Sequence, residues 1–373
     1  MRSSKVLHDP KIAQLDLLVT ERCNLNCVYC FHKQRPLDMT YEIFDKCINM
    51  LIGQFADEPI FNFFGGEPML REDFCMDLMS SLKERVPNGR FHFTTNATIY
   101  SEKMVEQWFK GEPPIVQVSH DGIHQASLRG QEKIVTGNLK RYIKDLSADK
   151  VTTRMTFTNK TVGDLLKNVE YFYDIGVRRL AHQADVTNEW TSDDVELYRT
   201  QLDKIYDFID KHNDLDMIFC NCNRVNQSKV RDRQCSMGRE LLSLASDGSI
   251  YPCHRAVKFP HFKVGDVFTG HLNRGKFPVL HMDGCSNCGA RPTCHQCFVA
   301  NYEQNGFLEN PVESGCHINI HENKKLAEKM NLITITAEDM LYAENVLPIF
   351  IRTLQDIADN NRTVIEAFGG GAK

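Results

Sequence analysis

Over the first 215 residues the hydrophobic and polar positions switch repeatedly between two periods. Short apolar runs of β type recur at Leu15–Thr20, Pro59–Phe64, Arg90–Thr95, Pro114–Ser119, Val151–Thr158 and Arg178–Ala184. Amphipathic runs of helical type lie between or after them, near Tyr41–Phe55, Arg71–Val86, Ser101–Phe109, Lys133–Leu146, Val162–Ile175 and Ser192–His212. In the fifth of these, Leu165, Val169, Phe172 and Gly176 fall on one stripe, and Thr161-x-x-Asp164 at its start has capping-box spacing. Six strand–helix units in succession predict a parallel sheet with right-handed crossovers. Six are fewer than the eight of a closed barrel, so the expected fold class is α/β, an open partial (β/α)6 TIM-like barrel. Chemistry is then expected at the carboxyl ends of the strands.

From about Asp216 the pattern changes. The stretch from Cys220 to Cys316 is loop-rich, and the remainder returns to helical texture at Ala337–Leu347, Pro348–Asp359 and Thr363–Phe368 before a Gly-rich tail expected to be disordered. The expected organisation is a barrel over 1–215, a loop-rich domain over 216–330 and a helical extension over 331–373.

Composition adds two exclusions and one clue. With 44 basic and 49 acidic residues the formal charge is −5, which gives no support to nucleic-acid binding. No run of 18 apolar residues occurs, so no membrane-spanning helix is expected. The N-terminal residues lack the apolar stretch of a secretory signal, so a cytoplasmic location with reduced thiols is expected. The clue is cysteine, with fourteen in the chain and nine of them between Cys220 and Cys316. In a reducing compartment such clusters read as metal ligands, which would also staple a loop-rich stretch.

Directly after the first predicted strand comes Cys23-Asn-Leu-Asn-Cys27-Val-Tyr-Cys30. Three thiolates on one loop can hold three irons of a [4Fe–4S] cube and leave the fourth iron open, whereas tetrahedral zinc wants a fourth ligand, for which His32 is the available residue. This C-x3-C-x2-C triplet, with the aromatic Tyr29 before its last cysteine, resembles the cluster loop of radical SAM enzymes. Gly65-Gly66-Glu67-Pro68 resembles that family's GGEP motif, which binds the amino group of S-adenosylmethionine (SAM); without the triplet it would read as a strand-to-helix turn. Asn96 ends the third strand. Ser119-His120-Asp121-Gly122 ends the fourth and resembles S-x-D-G, whose serine contacts SAM, while Asp121-Gly122 itself reads as a β-turn. Arg154 is a candidate for the SAM carboxylate or a surface strand arginine. The resemblance implies reductive cleavage of SAM to methionine and a 5′-deoxyadenosyl radical that abstracts hydrogen from substrate, with a flavodoxin or ferredoxin as reductant.

The later cysteines, Cys235-x12-Gly248-x4-Cys253, then Cys285-x2-Cys288-x5-Cys294-x2-Cys297, then Cys316, resemble the SPASM extension. Its usual core has one more residue before the last cysteine. The resemblance implies two auxiliary [4Fe–4S] clusters, one on Cys235, Cys253 and Cys297, the other on Cys285, Cys288, Cys294 and Cys316. Cys222 or Cys220 could complete the first, or it could stay open. With the SAM cluster that makes three, roughly twelve irons; taken alone, Cys285–Cys297 would have zinc-ribbon character. Cys47 and Cys75 sit inside helical runs and read as core thiols.

SPASM-bearing enzymes act mainly on ribosomally made peptides or proteins, so a precursor peptide or protein is the expected substrate. In the sulfatase-maturing branch an aspartate follows the G-x4-C cysteine and acts as base. Here His254 stands in that place, either as a base or as a packing residue beside a ligand. The first strand starts by Leu15, which leaves no room for a leader-binding winged helix, so recognition is expected from a separate leader-binding protein or from the tail after Asn331. The alternatives are formylglycine generation, dehydrogenation of a small alcohol, and an iron–sulfur electron-transfer protein that never cleaves SAM.

Overall fold

In the computed structural model, residues 10–110, 115–185, 188–212, 214–218, 235–277 and 297–329 are described. Cys220, Cys222, Cys285, Cys288, Cys294 and the helical extension lie outside them. The elements in chain order are β1 (Ile12–Thr20), α1 (Tyr41–Leu51), β2 (Phe55–Gly65), α2 (Glu72–Arg85), β3 (Arg90–Thr95), α3 (Glu102–Met104), β4 (Ile115–Ser119), α4 (Gln125–Leu128) and α5 (Glu132–Leu146). There follow β5 (Val151–Phe157), α6 (Leu165–Asp174), β6 (Arg179–Ala184), α7 (Ser192–Lys211), β7 (Asp216–Ile218), β8 (Leu241–Leu244), β9 (Ser249–Tyr251), β10 (Gly265–Asp266), β11 (His271–Leu272), α8 (Phe298–Asn305) and α9 (Glu313–Lys329).

The chain forms two compact units. The first takes the described residues up to Arg154 with 175–177 and 236–277. Its strands run in the order β11-β10-β9-β8-β1-β2-β3-β4 and on to the start of β5. The pairs β1–β2, β2–β3, β3–β4, β4–β5 and β1–β8 are parallel, while β9, β10 and β11 add antiparallel. This is the mixed α/β fold with a parallel sheet that the strand–helix alternation predicts. Leu15, Leu17, Val19, Phe61, Phe63, Phe91, Phe93, Val116 and Val118 are buried and, by alternation, face one side, where Phe44, Ile48, Leu78, Leu82 and Leu139 from the helices are also buried. The opposite side carries a polar row. Ser243, Asp16, Asn62 and His92 stand beside one another in register across four strands. A covered, polar sheet face is expensive unless hydrogen bonded, and so points to a site rather than to packing.

The second unit takes the end of β5 with residues 155–174, 178–235 and from 279 on, as far as described. Here β6 and β7 pair in parallel. The Phe157 ring stacks on Tyr198 at 5.5 Å, and the Tyr198 hydroxyl donates to Glu322 Oε1 at 2.5 Å, anchoring α9 to α7.

Two local expectations are corrected. Thr161 does not cap a helix: Val162–Asp164 is a 3-10 turn without a side-chain cap, and the Thr161 hydroxyl instead accepts from the Thr158 amide at 2.9 Å. The capping box sits at the start of α7, where Thr191 Oγ1 accepts from Asp194 N and Asp194 Oδ2 accepts from Thr191 N. The run Ser101–Phe109 is a single turn of α3 followed by a π turn over Val105–Phe109, rather than one α-helix. The strands β7 to β11 have two to four residues each, too short to display a period of two, which is why the stretch reads as loop.

Candidate functional site

The site is built where β1, β2, β3 and β4 end, in the first unit. The β1 chain runs on into the Cys23–Cys30 loop, and the Gly65-Gly66-Glu67 segment after β2 lies directly against it. Gly66 N donates to Thr20 O at 2.8 Å and Glu67 N to Arg22 O at 2.9 Å, so strand pairing continues past the sheet into the loop. That approach requires glycine. A Cβ on Gly65, whose φ is +136°, would stand 2.3 Å from Thr20 O, and one on Gly66 would stand 2.0 Å from Arg22 O.

Glu67 is 0% exposed. Its Oε1 accepts from Met69 N at 3.0 Å and Thr95 Oγ1 at 2.7 Å, and its Oε2 from Asn96 N at 2.6 Å. The carboxylate therefore clamps the end of β3 to the start of the GGEP turn. The Asn96 side chain in turn donates to Cys23 Sγ at 3.6 Å and to Asn24 Oδ1 at 3.0 Å. Glu67, Asn96 and Cys23 are thus one chain of contacts.

Burial pushes the Glu67 carboxyl up to about 7, against the pull of the Asn96 amide, the Thr95 hydroxyl and the Met69 amide. Its folded value lies above the ordinary 4.5. The stability it contributes is therefore full below about pH 4.5 and is lost as the pH rises through about 7. Urea denaturation of the cluster-free protein at pH 5 and pH 8 is expected to show a loss on the order of 3 kcal/mol from this group. Glu67→Gln, which does not titrate, is expected to flatten that interval while lowering stability at both pH values. An unchanged interval in the variant would assign the loss to other groups.

Cys23, Cys27 and Cys30 are free thiols on one loop, and burial first, with the neighbouring thiols adding to it, raises the proton affinity of Cys23 and Cys27. Burial pushes Cys27 up to about 11, opposed by the Arg129 guanidinium. A buried thiol of this kind becomes a thiolate when a metal takes the place of the proton. Cys23 and Cys27 also receive N–H donors, from Asn96 and Arg129, the arrangement that metal-bound sulfur accepts. As three thiol donors on one loop, Cys23, Cys27 and Cys30 have the ligand chemistry of an iron–sulfur cluster, while among the described residues no three His, Cys, Asp or Glu side chains are drawn together as around a single metal ion. The zinc alternative is less well served, since what Cys30 Sγ meets of His32 is its backbone carbonyl at 3.5 Å rather than its ring.

Tyr29 and Asp121 are brought together, and here the turn reading of Asp121 is too small. Its carboxylate is fully buried, accepts from the Tyr29 hydroxyl, and pairs with Arg129 Nε at 2.8 Å. Ser119 and Arg154 are directly paired in register across β4 and β5, so the serine expected to contact SAM and the arginine expected to meet its carboxylate stand side by side.

His254 follows Cys253, which is buried, and its Nδ1 lies 2.7 Å from Asp16 Oδ2. The ring packs on Phe64 at 4.7 Å and Phe31 at 5.9 Å. With Nδ1 on a carboxylate, Nε2 is the nitrogen available to a reacting group. Asp16 was missed by motif reading, yet it carried a signal: a lone carboxylate inside the apolar run Leu15-Asp16-Leu17-Leu18. Arg129 carried none, because nothing in its neighbours marks it.

Of the expected auxiliary ligands, Cys253 belongs to the first unit, and Cys235, Cys297 and Cys316 to the second. Cys297 stands at the start of α8 and Cys316 lies on α9. Cys47 and Cys75 are wholly buried in α1 and α2 and face the core, as their helical positions predict. Among the described residues no helix is long and apolar enough to cross a membrane.

Residues 17–200 match the model of the Radical SAM superfamily. The chain is 24% identical to the cysteine-type anaerobic sulfatase-maturating enzyme of Clostridium novyi, over 87% of this chain and 97% of that one. Two solved structures share the fold. One is anSMEcpe with bound AdoMet, with a TM-score of 0.71 and 16% identity over 89% of this chain and 98% of that one. The other is SuiB of Streptococcus suis bound to precursor peptide SuiA, with a TM-score of 0.61 and 15% identity over 82% and 76%.

Proposed function

With residues 17–200 a radical SAM domain, we propose that the chain cleaves SAM reductively and abstracts hydrogen from a ribosomally made peptide or protein. The radical SAM superfamily binds SAM and a [4Fe–4S] cluster. When bound, these supply one-electron cleavage of the sulfonium to methionine and a 5′-deoxyadenosyl radical.

The chain's own residues would do the rest. Cys23, Cys27 and Cys30 hold the cluster, and the Gly65–Glu67 turn with Asn96 shapes the amino end of SAM. Ser119 contacts SAM, Arg154 takes its carboxylate, and Tyr29 closes the loop against β4. Cys235, Cys253 and Cys297, with Cys222, and the set Cys285, Cys288, Cys294 and Cys316 would hold two auxiliary clusters of SPASM type, and the strand–helix units that precede them would form a partial (β/α)6 barrel. A flavodoxin- or ferredoxin-like protein supplies electrons, and a separate leader-binding protein is one route to the substrate. His254, aimed by Asp16 through Nδ1, would accept a proton from the substrate at Nε2.

The observation that carries this reading is the chain of contacts from Cys23 through Asn96 to Glu67, which joins the cysteine triplet to the GGEP turn. Formylglycine formation is a second reading, favoured by the similarity to the Clostridium novyi enzyme along almost all of its length. The test is anaerobic reconstitution with iron and sulfide followed by dithionite and SAM. Stoichiometric 5′-deoxyadenosine is expected, and its loss in Cys27→Ala; none from fully loaded protein would falsify the enzyme reading. Co-expression with candidate peptides and mass spectrometry then separates formylglycine from crosslinking or epimerisation.

A further inference from the structure

One buried charge beside the cysteine loop is not explained by fold or by binding of SAM. The Arg129 side chain is 11% exposed and that of Asp121 is 0% exposed. Arg129 Nη1 points to Cys27 Sγ at 3.9 Å, its Nε donates to Asp121 Oδ2 at 2.8 Å, and its guanidinium lies 5.2 Å from the centre of the Tyr29 ring. The segment that carries it is braced on both sides. Val28 N in the cysteine loop donates to Leu128 O at 3.0 Å, and the Gln125 side chain accepts from Asp121 N and donates to Gly130 O, each at 3.0 Å. A buried ion pair is weak evidence for stability, since desolvation offsets most of its Coulomb gain. Its use is better sought in what it faces, which is a thiolate ligand.

We propose that Arg129 is a positioning residue that raises the reduction potential of the SAM-binding cluster, with Asp121 and Tyr29 holding its charge against Cys27. The inference rests on the reading that Cys23, Cys27 and Cys30 carry that cluster. Reduction adds one negative charge to the cluster. A guanidinium aimed at a ligand sulfur favours the reduced state, through its charge and through its N–H donor, and hydrogen bonds and burial are the levers by which proteins tune such centres. Asp121 does two opposed things, since it fixes the guanidinium in place and partly cancels its field.

The two partners should therefore shift the potential in opposite directions. In an EPR-monitored redox titration of the reconstituted protein, the relevant cluster is the one whose signal changes when SAM is added. At a fixed potential Arg129→Gln is expected to lower its reduced-to-oxidised ratio about tenfold, equivalent to about 59 mV for a one-electron couple. Asp121→Asn, which keeps an acceptor for Tyr29 and Arg129, is expected to raise the ratio. Arg129→Lys, which keeps the charge, should recover part of the loss. Shifts of the same sign, or none, would overturn the proposal, because a merely structural role predicts no opposition between the two. Should Arg129→Gln fail to load a cluster, Asp121→Asn decides alone: a rise supports the proposal and its absence ends it. Parent protein with no SAM-responsive cluster would instead refute the reading of the cysteine triplet.

Discussion

Gly66→Ala is expected to destabilise the protein by about 3 kcal/mol or more and to empty the SAM-binding site of iron. The new methyl carbon would stand 2.0 Å from Arg22 O and 2.5 Å from the Arg22 carbonyl carbon, and both are backbone atoms that cannot swing aside as a side chain would. Overpacking of this kind costs roughly 1–3 kcal/mol when neighbours can give, and more when they cannot. Relief comes only by pushing Arg22 away, which breaks the Glu67 N to Arg22 O bond and moves the chain at Cys23. Denaturant midpoints and iron content after reconstitution would both fall. A variant that keeps its full complement of iron and its stability would show that the loop is not held by this contact. Gly53, where an added methyl group would meet nothing within 4 Å, is the control: Gly53→Ala should change neither quantity.

Asp16→Leu is expected to cost about 3–5 kcal/mol, the range for removing one partner from a buried charged network. The carboxylate is 0% exposed and accepts four bonds: Gln14 Nε2 at 2.7 Å and Asn62 Nδ2 at 2.9 Å on Oδ1, Ser243 Oγ at 3.0 Å and His254 Nδ1 at 2.7 Å on Oδ2. Burial pushes it up, but His254 and the other donors outweigh this, and its proton affinity lies below the usual carboxylate range. Leucine keeps the branched shape in a larger side chain and leaves all four donors facing methyl groups that cannot accept. Asp16→Asn should cost far less, about 1–2 kcal/mol, because its oxygen can serve Gln14 and Asn62 while the Ser243 hydroxyl rotates and the His254 ring changes tautomer. Urea denaturation measures both, and equal losses in the two variants would show that the acceptor bonds asparagine retains do not set the cost at this position. The Asp16→Asn variant also tests His254, since 5′-deoxyadenosine formation should persist while peptide turnover falls.

Much of this was legible in the chain. The alternation of periods predicts the parallel sheet because each strand there is covered on both sides and each helix on one, so burial writes itself into spacing. The cysteine triplet and the glycine pair were equally readable, as thiol chemistry and close backbone approach each tolerate few residue types. What spacing could not show was pairing at a distance. Asp16 meets Ser243 and His254 across more than two hundred residues, and Arg129 meets Cys27 across about a hundred. Thr191-x-x-Asp194 and Thr161-x-x-Asp164 have the same spacing, and only the backbone conformation ahead of each helix decides which threonine caps.

The parallel pairing of β8 with β1 bears on how this protein can be divided. Gln14 through Leu17 lie in register with Leu241 through Leu244, so the strand that leads into the cysteine loop is not an edge. A fragment ending before residue 236 would bare one side of β1 along Leu15 and Leu17, both wholly buried in the full chain. An apolar strand with open amide and carbonyl groups invites pairing with another molecule. The region that carries the cysteine loop is therefore not a detachable module. Grafting it onto a different C-terminal region would require that region to bring its own parallel strand for β1, which restricts exchange to partners that already possess one.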